Sequence, residues 1–304
     1  MTNNCVFIHT NERQWLGALV AEYSFRRNSA NADKFDVKFI HTQDYPYLSA
    51  KEGQTFLRGG TERVWHMDDL QSFTPLRFLP PKLMNWQGRA VLTDPDIFAV
   101  GDIYELLQKD MKGAAVMGRR RSGGQRKASQ VATSVMLMDC ARLQHWDAEM
   151  EFDQLFRSEI DYKAWMVLAY DDPANIGYLE DYWNDFDHLD ANTRLLHNTK
   201  RKTQPWKTGL PVDYTPAEKF KGNPLLASAN SLRIRMFGQY GLLGRYKKHP
   251  DLRQEQFFFG LLKECLQSGH VSEDLVRDEI SKNHVRHDAF EVLDRTPNLE
   301  GMAA

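Results

Sequence analysis

Two aspartates, Asp94 and Asp96, follow the apolar segment 89–93 and are separated by a proline. In an extended chain, side chains two positions apart point to the same side, so both carboxylates can face one point. Pro95 lacks an N–H and holds the residue before it extended. Two neighbouring carboxylates repel each other unless a cation or a proton lies between them. The spacing therefore predicts a divalent-cation site of the kind that also binds substrate phosphates. An ordinary Asp-Pro-Asp turn is the alternative.

A histidine that could complete such a site, His197, ends the short apolar run Leu195-Leu196. Its neutral ring can supply a nitrogen ligand. The basic run 200–202 follows, as an anionic phosphate would require, and Pro205-Trp206 ends the loop. The alternatives are a histidine with a purely structural hydrogen bond and a basic run that is solvated surface.

The composition of the chain excludes several classes of protein. The chain has 304 residues, 42% hydrophobic and 26% charged, with a net charge of −2. These values are typical of a soluble globular protein of one or two domains without a general attraction for nucleic acid. No apolar run is long enough to span a membrane, and the N-terminus lacks the pattern of a signal peptide. Three widely spaced cysteines favour a reducing cytoplasm. No CxxC, HExxH or P-loop pattern is present.

The elements that must position these residues begin with a strand at 6–8, a helix at 14–27 and a strand at 35–40. This order predicts a parallel βαβ unit and an α/β fold. Ligands in such sheets bind at the carboxyl ends of the strands. We therefore expect His9, Thr10 and Asn11, after the first strand, and Asp94 to Asp96, after a later one, to share one edge.

Further along, the pattern predicts strands at 114–117 and 135–138 and helices at 102–109, 142–156 and 160–169. From about residue 214 the periodicity is helical. We expect a nucleotide-sugar-binding and catalytic domain at 1–215, a helical extension at 216–304, and no ordered structure after 296.

The order of these motifs resembles glycosyltransferase family 8, over roughly residues 5 to 210. The resemblance rests on Asp94-Pro95-Asp96, on 133–139 as the counterpart of an Asn-Ser-Gly-Val segment, and on His197 with the later Pro205-Trp206. It implies the GT-A fold, with a central, mostly parallel sheet flanked by helices. Three departures mark a distant member: Ala132-Thr133-Ser134 stands for Asn-Ser-Gly, Asp161-Tyr162 stands for Asp-Gln, and the segment after His197 is one residue longer.

The resemblance also implies roles for individual residues. Asp94, Asp96 and His197 would hold Mn²⁺ or Mg²⁺, with Asp94 also serving the ribose. Asp161 and Arg77 would act at the donor sugar. The residues expected to bind the nucleotide sugar are His9, Thr10, Asn11, Arg77, Asp94, Thr133, Ser134, Lys200, Lys202 and Trp206. Lys200, Lys202 and Lys207 remain alternatives for the diphosphate contact, and a helix N-cap is the alternative for Asp161.

The implied function is metal-dependent transfer of a sugar from a nucleotide-diphosphate donor, with a UDP-sugar as the expected donor, and with retention of configuration. The expected acceptor is a glycan, a lipid-linked precursor or another polysaccharide precursor. A non-catalytic nucleotide-sugar-binding protein is the main alternative, because the Asn-Ser-Gly segment is altered. A sugar nucleotidyltransferase ranks last, because the first loop lacks glycines.

Two basic segments leave alternatives open. The loop 118–127 could close on a diphosphate or an acidic acceptor, or could be solvated. The pattern of residues 233–248 favours a helix that packs on its own domain. The alternative is peripheral contact with the inner face of an anionic membrane.

Overall fold

The computed structural model describes residues 4–121, 130–214 and 224–299. The chain divides into two units, one formed by Met1–Met67 with Ser72–His197 and the other by Asp68–Gln71 with Asn198–Ala303. The predicted boundary at 215/216 thus falls inside the second unit. Most of the basic loop, 122–129, lies outside the described residues.

The first unit contains a six-stranded sheet in which three of the five neighbouring strand pairs are parallel. Its strands, in spatial order, are β2 (Asp36–His41), β1 (Asn4–Thr10), β5 (Arg89–Thr93), β8 (Val131–Asp139), β7 (Val116–Arg120) and β9 (Ile176–Leu179). A second sheet has the order β10 (Asp185–Phe186), β11 (Leu195–His197), β6 (Ile97–Ala99), and a hairpin joins β3 (Thr55–Leu57) to β4 (Glu62–Val64). The predicted α/β class with a mostly parallel central sheet is confirmed.

The predicted βαβ unit is present. Helix α1 (Trp15–Arg27) connects β1 to β2, and the two strands pair in parallel. The helix buries Leu16, Val20 and Ser24, which are four residues apart, and leaves its last arginines outward. β1 also pairs in parallel with β5, with Ile8 opposite Thr93. The carboxyl ends of β1 and β5 therefore meet at one edge of the sheet.

The remaining helices of the first unit are short. They are α2 (Pro46–Ser49), α3 (Pro80–Leu83), α4 (Ile103–Leu107), α5 (Ala148–Phe156) and α6 (Tyr162–Trp165). Several begin at an aspartate that caps them: Asp102 caps α4, Asp147 caps α5 and Asp161 caps α6. The helices predicted at 142–156 and 160–169 are therefore shorter than expected and begin later, at Ala148 and Tyr162, directly after the aspartates that cap them.

The second unit carries α7 (Pro224–Phe237), α8 (Leu252–Ser268), α9 (Glu273–Ser281) and α10 (Ala289–Arg295). Helix α8 ends at Gly269, whose φ of 73° is the left-handed conformation that glycine adopts without strain. Leu299 is buried and lies against Gly260 of α8, so packing extends three residues beyond the predicted start of a disordered tail. Among the described helices, none has the length and apolar character needed to cross a membrane.

Candidate functional site

Asp94, Asp96 and His197 converge as the sequence predicts. Each offers a ligand atom, and these atoms lie within 4.8 Å of one another. Strand pairing brings them together: β6 follows Asp96 directly, and β11 runs antiparallel to β6 with His197 opposite Ile97. His197 Nε2 lies 3.3 Å from Asp96 Oδ1, and the two residues are 6% and 8% exposed.

Asp94 is held by two basic side chains. Its Oδ1 lies 2.6 Å from His9 Nε2 and accepts a hydrogen bond of 3.1 Å from Arg77 Nη2. Burial raises the pKa of Asp94, but the Arg77 guanidinium and the His9 ring outweigh burial, and the net pKa is lowered. Asp94 is therefore a carboxylate with a fixed orientation.

Arg77 connects Asp94 to the next strand and helix. Its Nη1 donates to the Thr133 hydroxyl at 2.5 Å, and that hydroxyl donates to the Met166 carbonyl at 2.7 Å. Arg77 Nε is buried and has no hydrogen-bond partner among the described residues. One donor of a buried guanidinium is thus left over beside the aspartates, and an anionic group could accept from it.

The sequence analysis missed Asn184, which orients His197. Its Oδ1 lies 2.8 Å from His197 Nδ1, and its Nδ2 donates to Ser134 Oγ at 2.9 Å. Asn184 is fully buried. Burial lowers the pKa of His197, but Asp96 and then Asp94 outweigh burial, and the net pKa is raised. A single asparagine before a two-residue strand carries no sequence signal that links it to a histidine thirteen positions later.

The residues fit a divalent cation. Two carboxylate oxygens and an imidazole nitrogen form a ligand set that Mn²⁺ tolerates, and the other nitrogen of His197 already has a partner. A second group among the described residues, Asp185, His188 and Asp190, is largely exposed, and its members bond to one another. The buried group is therefore the better candidate.

The other expected donor-binding residues of the first unit lie in or next to this network. Thr10 ends β1 and Asn11 follows it; both are buried, and Asn11 Nδ2 donates to Ser72 Oγ at 2.9 Å. The Ser134 carbonyl accepts from the Asp94 amide at 2.9 Å. Their contact with a nucleotide stays a prediction.

Asp161 occupies the N-cap of α6, which was the alternative to a role at the sugar. One carboxylate oxygen accepts from the amides of Lys163 and Ala164, and the other accepts from Gly60 at 2.9 Å. Burial raises the pKa of Asp161, but these amide donors outweigh it and lower the net pKa. Asp161 thus has a structural role, and its action at a donor sugar stays a prediction.

Lys200, Lys202 and Trp206 belong to the second unit. The two lysines are exposed, whereas Trp206 is 1% exposed and stacks on Phe258. Lys207, the third alternative for the diphosphate contact, is fully buried and pairs with Asp213 at 2.8 Å. Trp206 and Lys207 are therefore core residues of this unit, and the donor contacts of all four stay predictions.

The chain matches no protein-family model and no curated protein sequence. Its structure is similar to the glycosyltransferase GlyE of Streptococcus pneumoniae TIGR4, with 15% identity, 68% of this chain and 56% of that chain covered, and a TM-score of 0.46. It is also similar to mouse xyloside xylosyltransferase 1, with 11% identity, coverage of 64% and 98%, and a TM-score of 0.42. The galactosyltransferase LgtC, solved with donor and acceptor sugar analogues, gives 10% identity, coverage of 66% and 89%, and 0.43.

All three of these proteins are glycosyltransferases. The chain spans little more than half of GlyE. Because these TM-scores are below 0.5, the function proposed below rests on the geometry of the site.

Proposed function

We propose that this protein is a glycosyltransferase that requires a divalent cation, Mn²⁺ or Mg²⁺, and uses a nucleotide-diphosphate sugar, with a UDP-sugar as the favoured donor. The observation that carries the proposal is the convergence of Asp94, Asp96 and His197 at the carboxyl edge of the sheet. Carboxylates at this edge suit an ion that also binds phosphates.

The chemistry that this site favours is the departure of a nucleoside diphosphate. Negative charge grows on the leaving phosphate as the glycosidic bond breaks, and a bound divalent cation would neutralise part of it. Arg77 is fixed by Asp94 and Thr133 and retains a buried N–H without a partner among the described residues. A cation fixed in advance stabilises such charge without reorganisation during the reaction.

The acceptor and the stereochemical outcome follow from the family resemblance alone. We expect a glycan or a lipid-linked precursor as acceptor and retention of anomeric configuration. A cytoplasmic location is part of the proposal. Cys5, Cys140 and Cys265 are buried and form no disulfide bond among the described residues, which suits a reducing compartment.

The test is release of UDP from a panel of UDP-sugars, with and without Mn²⁺. We expect Mn²⁺-dependent release from at least one sugar, and loss of release in Asp96→Ala. His145→Ala is the matched control, because this exposed histidine also contacts an aspartate but lies outside the group of three. Mn²⁺-dependent UDP binding without release from any donor would favour the non-catalytic alternative.

Peripheral contact with an anionic membrane through residues 233–248 belongs to the same proposal. Met236, Phe237 and Leu242 are 63%, 51% and 73% exposed, although the sequence favoured packing of this stretch on its own domain. Within this stretch, Tyr246 belongs to a small buried cluster of the second unit, and Leu243 lies against that cluster. The chain has no aspartate or glutamate between 219 and 250. Exposed apolar and cationic side chains together suit an anionic lipid surface.

Co-sedimentation with phosphatidylglycerol vesicles tests this contact. We expect the protein to sediment with them and the double variant Met236→Ser/Phe237→Ser to remain in the supernatant. Met150→Ser, which removes another exposed methionine, in the first unit, is the control. Equal sedimentation with neutral phosphatidylcholine vesicles, or none with either, would contradict the contact.

A further inference from the structure

We propose that Asn184 is a positioning residue that fixes the tautomer and the ring orientation of His197, so that the lone pair of Nε2 faces the cation site. The inference rests on the proposed function, since it assigns a role toward the cation that Asp94, Asp96 and His197 would hold. It concerns a residue that acts through His197 and does not itself contact the ion.

The two ring nitrogens of His197 face different partners. Nε2 faces Asp96, at 3.3 Å from Oδ1, whereas Nδ1 lies 2.8 Å from Asn184 Oδ1. A neutral imidazole carries one proton, and the nitrogen without it is the one that binds a metal. If Nε2 is the ligand, the proton has to lie on Nδ1, where it requires an acceptor. The Asn184 carbonyl oxygen is that acceptor.

In the observed orientation, the opposite end of the Asn184 amide contacts Ser134. Asn184 Nδ2 donates to Ser134 Oγ, and Ser134 lies in the long central strand β8. With the amide reversed, Nδ2 would point at Nδ1, and the ring proton would move to Nε2, facing the carboxylates. Asn184 is fully buried, so water does not satisfy either orientation in its place.

The backbone around Asn184 is fixed as well. Arg119 Nη1 donates to the Asn184 carbonyl at 2.6 Å, and the next residue begins β10, which pairs with β11. The amide of Asp187 donates to the His197 carbonyl at 2.9 Å, one residue beyond β10. The segment that carries Asn184 and the strand that carries His197 are thus in register, and the side-chain contact does not depend on a mobile loop.

Two variants of Asn184 distinguish loss of its hydrogen bond to His197 from a change in side-chain size. Asn184→Leu keeps the approximate size of the side chain but removes the hydrogen-bond acceptor. Mutation of a residue that hydrogen-bonds to a metal-binding histidine typically lowers metal affinity 10- to 100-fold. We therefore expect Mn²⁺ affinity, measured by titration calorimetry, to fall by about 10-fold or more. Asn184→Asp keeps an acceptor toward Nδ1, and we expect it to retain affinity within about threefold. Gln254→Leu removes another fully buried amide, in the second unit, and serves as the control for a loss of stability alone.

The direct readout is the ¹⁵N spectrum of His197 in the Mg²⁺-saturated protein. We expect the wild type to show the proton on Nδ1 and Asn184→Leu to show a mixture of tautomers. A wild-type spectrum with the proton on Nε2, or unchanged metal affinity and tautomer in Asn184→Leu, would overturn the role of Asn184 and leave the glycosyltransferase proposal standing. Absence of any divalent-cation binding by the wild-type protein would overturn both.

Discussion

His9 and Asp94 lie side by side at the carboxyl ends of two neighbouring parallel strands, with Nε2 2.6 Å from Oδ1. His9 Nδ1 lies 3.1 Å from the Phe73 carbonyl, so both ring nitrogens face hydrogen-bond acceptors. His9 is fully buried, and burial lowers its pKa although Asp94 opposes that effect. The pair joins the first loop of the sheet to the proposed cation site.

Removal of this contact should destabilise the first unit. His9→Leu leaves the partly buried Asp94 without its histidine partner, while the hydrogen bond from Arg77 remains, and we expect the free energy of unfolding to fall by about 2 kcal/mol. His9→Gln keeps a donor and should lose about half as much. Urea unfolding measures both, and equal stability of His9→Leu and the wild type would contradict the importance of the contact.

Asp161 can be assigned to a cap or to the chemistry by comparing two substitutions. Asp161→Ala removes the acceptor for Lys163, Ala164 and Gly60, and should cost about 1 kcal/mol. Asp161→Asn keeps the N-cap oxygen for Lys163 and Ala164 but loses the acceptor for Gly60, and should therefore lose less stability than Asp161→Ala. If the carboxylate also acts at the donor sugar, UDP release should fall by about tenfold or more in Asp161→Asn while UDP affinity is kept. Full turnover of this variant would leave Asp161 as a cap only.

The three lysines proposed for the diphosphate differ in burial, and this predicts different phenotypes. Lys207→Met leaves the buried Asp213 without its cation and should lower the free energy of unfolding by about 3 kcal/mol. Lys200→Ala and Lys202→Ala remove exposed side chains and should leave stability unchanged. At least one of these two should weaken UDP binding by about tenfold in calorimetry. Unchanged UDP affinity in both would remove them from the site.

Glu151 should make stability depend on pH. Burial raises its pKa from 4.5 to about 7, while its hydrogen bond from the Trp165 indole acts in the opposite direction. Because the folded state favours the protonated acid, the contribution of Glu151 to stability is complete below pH 4.5 and is lost as the pH rises through 7. Glu151→Gln should therefore raise the free energy of unfolding by about 1–3 kcal/mol at about pH 8.5, and by much less at about pH 4.

The matched control for this prediction is Glu149→Gln, an exposed glutamate of the same helix. Thermal or urea unfolding at the two pH values makes the comparison. A stabilisation that is equal at both values would show that Glu151 ionises normally in the folded protein.

The sequence predicts the fold where its signals are local and strong. The apolar run 6–8, the helical spacing of Leu16, Val20 and their neighbours, and the alternating strand at 35–40 suffice for the βαβ unit. The grouping of Asp94 and Asp96 follows from strand geometry. His197 could be proposed as a ligand from the apolar run before it, but its grouping with the aspartates followed from the family resemblance, because the three-residue strands β6 and β11 that bring it close are too short to be recognised from periodicity.

Other features depend on tertiary contacts that no local pattern encodes. Asn184 lies thirteen residues from its partner in an irregular segment. Trp206 was expected at the site because Pro205 precedes it, yet the indole stacks on Phe258 of a helix about fifty residues later. A proline restricts only the backbone, and the position of the ring follows from packing with distant residues.

The central claim is that one divalent cation binds to Asp94, Asp96 and His197 together. Calorimetric titration of Mn²⁺ into the metal-free protein tests it most directly, first alone and then with UDP present. We predict a single site in the wild type, loss of that site in Asp96→Ala and in His197→Ala, unchanged binding in His188→Ala, and UDP binding that EDTA abolishes. Tight UDP binding that is insensitive to EDTA, or a Mn²⁺ site that survives in both Asp96→Ala and His197→Ala, would contradict the account.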